Sequence, residues 1–121
     1  FPQAIIFLIH MGMLLMEKLS ASSCSLENTL SIIAGKWKSV IIYYLLQRKV
    51  CRFSELQKLI PDCSKRMLAL QLKDLEKAKI INKKVYPVVP PKTEYSLTDL
   101  GKTLFPVIKV MDDWGANYRN S

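Results

Sequence analysis

Three cysteines, one histidine and a cluster of cations are the residues of this chain with chemistry to offer. Cys24, Cys51 and Cys63 lie far apart with no C-x-x-C spacing, so no zinc site can be built from cysteine pairs. Their odd number argues against a disulfide framework and predicts a reducing, cytoplasmic compartment. The single histidine, His10, removes most metal-site and histidine-base chemistry from consideration. There is no phosphate-cradling glycine loop and no acid–base pair with a histidine, so an enzyme is the least expected class, and neither metal nor cofactor is expected. Cys24 differs from the other two thiols. It precedes the start of a helix, where the dipole attracts negative charge, and is therefore the redox-sensing candidate; an inert thiol is the plainer reading.

The cations carry more. The chain has 121 residues with 18 Lys plus Arg against 10 Asp plus Glu, a formal net charge of +8. That balance points to a polyanion: nucleic acid first, an anionic membrane surface second. Half of the residues are hydrophobic, enough for the core of a single domain. Between Lys65 and Lys84 there are seven cations and two carboxylates, which is five of the net eight charges.

Those charges need a scaffold. Ser25 is expected to cap a short helix that begins at Leu26 and stops near Gly35. Trp37, Val40, Ile41, Tyr44 and Leu45 then recur with helical period and predict a buried helix, with Trp37 in the core and Arg48 and Lys49 in its last turn. Val50 to Phe53 reads as a short extended piece. Ser54 is expected to cap a third helix that runs to about Ile60 and is ended by Pro61. Ser64 caps a fourth, whose apolar seam is Leu68, Leu72 and Leu75. Helix, turn and helix within residues 54–78 have the size of a helix-turn-helix unit. Ile80–Tyr86 and Thr93–Leu97 read as strands around a proline-stiffened tip. Thr98 caps a terminal helix that Pro106 should kink or break.

Residues 4–16 are almost wholly apolar. As a helix they would span roughly 20 Å, short of the roughly 30 Å bilayer core. No Lys or Arg precedes them, as a signal peptide would require. Residues 1–23 are therefore read as an apolar N-terminal extension, extraneous to the fold or packed in a dimer. A signal peptide and a membrane anchor are the less favoured readings, and no stable membrane association is expected.

On a helical wheel Arg66, Leu70, Lys73 and Lys77 lie opposite the leucine seam. An apolar back and a basic front suit a helix for entry into the DNA major groove. A solvated basic face is the bland alternative, and the helix-turn-helix order with an adjacent basic hairpin outweighs it.

From Cys24 to about Gly115 the chain resembles the HxlR-type winged helix-turn-helix regulators of bacteria. The resemblance rests on Cys24, Gly35-Lys36-Trp37-Lys38, Arg52-Phe53-Ser54-Glu55-Leu56 and Ser64-Lys65-Arg66-Met67-Leu68. It continues through Leu72-Lys73-Asp74-Leu75-Glu76, Pro90-Pro91, Glu94-Tyr95-Ser96-Leu97-Thr98, Gly101 and Trp114-Gly115. One departure is plain: the family usually has Gly after the recognition helix, where this chain has Lys79. A left-handed cap then falls to a non-glycine residue, at a cost of about 1 kcal/mol.

The resemblance implies a mainly α fold with a small antiparallel β-hairpin, a winged helix-turn-helix that dimerises through its terminal helices. Residues 24–121 would form the DNA-binding and dimerisation domain of a homodimeric transcriptional regulator, cytoplasmic and nucleoid-associated. Lys65, Arg66, Ala69, Leu70 and Lys73 are the groove-facing residues expected on double-stranded DNA. Arg66 suits a guanine or a phosphate equally, and Ala69 and Leu70 suit thymine methyls. Ser64 and Arg52, with Lys83, Lys84 and Lys92 on the wing, are expected at phosphates; Arg52 is equally a partner for Glu55. In some members of the similar family the cysteine matching Cys24 senses oxidants or electrophiles. Cys63 is expected in the core, and Cys51, beside Arg52, is a weaker reactive candidate. The competing function is a winged-helix module for protein interaction or membrane attachment, without DNA specificity.

Overall fold

The computed structural model describes residues 24–121. The apolar run 4–16 and His10, with the readings attached to them, lie outside the described residues. The chain divides into a unit that ends at Ile33 and a second spanning Ala34–Ser121.

In the first unit, helix α1 covers Ser25–Ile33, with Glu27 in its first turn as expected. It starts one residue earlier than predicted. The Asn28 N–H reaches the Cys24 carbonyl at 3.1 Å, so Cys24 occupies the capping position and Ser25 is already helical.

The second unit begins with a turn at Gly35, whose φ of +96° suits a residue without a Cβ. Helix α2, Lys38–Arg48, buries Ile41, Ile42 and Leu45. Trp37 stands at its N-cap position, half-buried rather than in the core, with the Lys36 ammonium 4.7 Å from its ring centre. Lys49 ends the helix at φ +67°, and its N–H donates to the Leu45 carbonyl at 3.0 Å. The chain thereby leaves α2 as strand β1, Val50–Arg52.

The expected hairpin is one part of a three-stranded antiparallel sheet. Strands β2 (Ile81–Tyr86) and β3 (Lys92–Leu97) pair as predicted, and β1 adds to the other edge of β3, giving the order β1-β3-β2. Cys51 stands opposite Tyr95, and Arg52 opposite Glu94.

Helix α3, Phe53–Leu59, follows β1 directly. Its start is set by Arg52 and Glu55, not by Ser54. The Glu55 carboxylate accepts the Arg52 backbone N–H at 3.0 Å, and Ser54 sits in the first turn. Helix α4, Lys65–Lys77, is capped as expected, the Ser64 Oγ accepting the Met67 N–H at 3.1 Å. Leu68, Leu72 and Leu75 are fully buried, each stabilising the fold by about 1.5–3 kcal/mol.

The end of α4 is a Schellman motif on a lysine. The Ile80 N–H donates to the Leu75 carbonyl and the Lys79 N–H to that of Glu76, both at 3.0 Å, with Lys79 at φ +62°. Ile80 and Leu75 are both buried, as the motif's apolar contact requires. The Thr98 hydroxyl secures this corner. It donates to the Lys79 carbonyl at 2.7 Å and accepts the Gly101 N–H at 2.9 Å. Gly101 is required here, because a Cβ would collide with the Ile80 carbonyl oxygen.

Pro106 breaks the terminal helix rather than kinking it. Helix α5 covers Asp99–Lys102, and α6 covers Phe105–Arg119 with Pro106 in its first turn. A residue there has no intrahelical acceptor for its N–H, so proline costs nothing.

Candidate nucleic-acid interface

α3, the turn at Pro61 and α4 form a helix-turn-helix, and the leucine seam fixes which face of α4 looks outward. Lys65, Arg66, Ala69, Leu70, Lys73 and Lys77 are all exposed, as is the cap Ser64. Arg66, Leu70, Lys73 and Lys77 follow one another at intervals of four, three and four residues, a single stripe along the helix. Asp74 is drawn away from that stripe: its carboxylate meets the Lys38 ammonium of α2 at 3.7 Å.

Local stability does not explain where the cations sit. Lys65 and Arg66 open α4, and its first turn holds no acid. The positive end of the dipole disfavours cations there by about 0.3–1 kcal/mol each. The Ser64 cap offsets part of this cost, and the same exposed N–H groups and cations suit an incoming phosphate. Met67 and Gln71, which the wheel left unassigned, add a polar contact to the exposed surface: the Gln71 amide reaches the Met67 sulfur at 3.2 Å.

The wing residues do not share one face. Alternation along β2 sends Lys83 and Lys84 to opposite faces. Lys83 stands opposite Tyr95, on the face that carries the core residues, and Lys84 opposite Glu94. Arg52 flanks Glu94 from β1, so Lys84 and Arg52 bracket one carboxylate. Of the two even readings of Arg52, the ion pair with Glu55 does not form; Glu55 spends its carboxylate on the Arg52 backbone N–H, and the Arg52 side chain stays exposed.

Lys92 is also less free than its place at the hairpin tip suggested. Its ammonium lies 3.4 Å from Glu94 and 4.8 Å from the Tyr86 ring centre. The Tyr86 hydroxyl donates to Glu94 at 2.8 Å, and Lys84 covers the same ring at 4.8 Å. That hydroxyl, followed by Lys92 and then the charge of Arg52, holds the Glu94 carboxyl below its ordinary value against a weaker desolvation effect. Sequence reasoning passed over Tyr86 and Glu94. The signal was present in the two-residue spacing of Lys84 and Tyr86, but it becomes readable only with the register.

The thiols separate clearly. Cys51 and Cys63 are buried, which fits a core role for Cys63 and removes Cys51 as a reactive candidate. Burial pushes both thiols up. Glu55 adds to the rise at Cys51 and Arg48 opposes it; Lys36 opposes it at Cys63. Cys24 is a free, half-buried thiol at the start of α1.

Among the described residues no group of three or more His, Cys, Asp or Glu is arranged to hold a metal. No helix among them is long and apolar enough to cross a membrane.

A helix-turn-helix followed by a β-hairpin wing, with a basic outer helix, defines a winged-helix regulator of transcription. Comparison with known proteins agrees. The profile of the HxlR-like helix-turn-helix family matches residues 32–121, and the chain belongs to that family. The HTH-type transcriptional regulator YdeP of Bacillus subtilis is 52% identical over 97 residues, covering 80% of this chain and 75% of its own. The solved structure of the redox regulator HypR in its oxidised form is 44% identical, with a TM-score of 0.73 over 78% of this chain and 96% of that one. The structure of the HTH-type regulator YtcD is 42% identical, with a TM-score of 0.75 over 81% and 99%. The family is one of DNA-binding transcriptional regulators, not of enzymes.

Proposed function

We propose that this protein is a sequence-specific regulator that binds double-stranded DNA as a homodimer, with α4 in the major groove and the β2–β3 wing against the adjacent backbone or minor groove. Residues 24–121 are the working domain and 1–23 an extension to it. The observation that carries this reading is the exposed cationic stripe of α4, whose first two cations stand where the helix dipole disfavours them. Lys65, Arg66, Ala69, Leu70 and Lys73 face bases and nearby phosphates; Ser64, Arg52, Lys83 and Lys84 hold backbone. Lys92 reaches a phosphate only by leaving Glu94. The exposed apolar front of α6 supports the dimer. Cytoplasmic action on the nucleoid is part of the same proposal.

Footprinting of the promoter DNA that the full chain selects tests this. Two protected half-sites about 34–36 Å apart are expected for a two-fold dimer. Binding that ignores sequence, or that vanishes at moderate salt, would instead favour an interaction module.

A redox-responsive version has its own support: the likeness to HypR, and the placement of Cys24 as the least buried of the three thiols. A thiol reagent should label Cys24 before Cys51 and Cys63, and diamide should change DNA affinity in the wild type but not in Cys24→Ser. An unchanged response in Cys24→Ser would make the cysteine structural.

A further inference from the structure

Where the last turn of α2 meets β1, β3 and α5, the fold leaves a cavity of about 510 Å³. Its base is apolar, with Leu45 and Leu97 buried and Leu46 half-buried. Val50 lines it while 47% exposed, an apolar side chain to which neither the DNA reading nor the dimer reading gives a task. The polar groups of the lining side chains are of one kind: the ammonium groups of Lys49 and Lys102 and the Ser96 hydroxyl, with no carboxylate. The positive-φ turn that closes α2 sets the Lys49 backbone at the rim of the cavity. Among the described residues Lys102 has one partner, Asp99, 4.0 Å away and fully exposed, a contact too weak to hold it.

Two further cavities, between α2 and α6, differ in kind. Both have Asp112 in their lining, and both adjoin the apolar front of α6 that the dimer reading already uses.

We propose that the cavity beside Val50 binds a small organic monoanion with an apolar body, an aryl or branched aliphatic carboxylate. The body lies against Leu45, Val50 and Leu97. The carboxylate accepts from Lys49 and Lys102, with Ser96 as a third donor. A cavity of a few hundred cubic ångströms with an apolar lining and a few donors at its rim is the usual form of such sites.

The test is a titration of the full chain, carrying ¹³C-labelled methyl groups, with 1-naphthoate and with the neutral 1-naphthalenemethanol, followed by NMR. Saturable shifts are expected at Leu46, Val50 and Leu97, with naphthoate bound about fivefold or more tightly than the alcohol. Lys49→Gln with Lys102→Gln should erase that preference; both side chains are exposed, so an unchanged melting curve will verify the fold. Shifts centred on Val110 and Met111, no saturation, or a preference for the carboxylate that survives the double substitution would overturn the proposal. The readout uses no DNA, so its failure would leave the DNA reading standing.

Discussion

α4 and α6 are helices of similar length that the same fold treats in opposite ways. α4 buries three leucines and turns cations outward. α6 buries only Ile108 and turns outward Phe105, Val110, Met111, Trp114 and Tyr118. Val110, Trp114 and Tyr118 recur every four residues at about two-thirds exposure, and the Trp114 and Tyr118 rings stack at 5.1 Å. Water or phosphate satisfies the front of α4, whereas only another apolar surface satisfies that of α6. A basic front and an apolar front on one small domain fit a molecule that meets two partners, a polyanion and a second copy of itself.

The largest expected effect comes from the apolar front. Val110→Glu with Trp114→Glu should leave a 13.9 kDa species in sedimentation at micromolar concentration, where the proposed dimer predicts twice that mass for the wild type. Affinity for a two-half-site operator should fall about a hundredfold or more, because each half-site must then be found separately. A variant that remains dimeric would remove α6 from the interface and break the comparison.

The basic front should respond more modestly. Arg66→Ala is expected to cost about 1–3 kcal/mol of specific affinity, since Arg66 lies on the exposed stripe. Lys84→Ala should weaken all sequences alike and reduce the salt slope by about one, because a strand residue beside Glu94 reaches backbone at most. Equal, sequence-independent losses in binding titrations would make Arg66 a phosphate contact.

Much of this contrast was legible in the sequence. The leucine seam of α4 has helical period, and a period fixes a face without any knowledge of neighbours. Pro106 and Lys79 were legible for a similar reason, since each acts through its own backbone. What required the structure was pairing. Three residues, Val50–Arg52, are too few to display alternation, so the segment read as extended without revealing that it pairs with β3. Lys83 and Lys84 read as one basic pair until the register sent them to opposite faces. Arg52 read as evenly a phosphate contact or a salt-bridge partner because side-chain charge is visible in a sequence and the demand of a helix start for a backbone acceptor is not.

Lys79 offers a smaller effect. A left-handed backbone costs a non-glycine residue about 1 kcal/mol, while its cation at the end of α4 recovers about 0.3–1 kcal/mol from the dipole. Lys79→Gly should therefore stabilise the fold by at most about 0.7 kcal/mol in chemical denaturation and leave Arg66-dependent specificity intact. Destabilisation would mean that the Thr98 bond to the Lys79 carbonyl already absorbs the backbone cost.

The smallest effect separates held cations from free ones. Among the described residues the cations of the α4 stripe make no salt bridge, whereas Lys92 on the wing is tied to Glu94 and Tyr86. The Tyr86 hydroxyl and Lys92 hold the Glu94 pKa below its unfolded value. A depressed carboxyl stabilises the fold above its unfolded value, and that contribution fades as pH falls through the folded one. The wing contacts should therefore persist through the ordinary carboxylate range and loosen only in stronger acid. An NMR titration of the Glu94 carboxyl and the Tyr86 ring reads this directly. In Glu94→Gln the acid transition of the Tyr86 ring should disappear while the α4 resonances stay where they are. With Lys92 released, that variant should also bind non-specific DNA slightly more tightly at neutral pH, with a steeper salt dependence. A Tyr86 ring that titrates identically in both proteins would show that Glu94 does not hold the wing, and Lys92 would then rank with the free cations of α4.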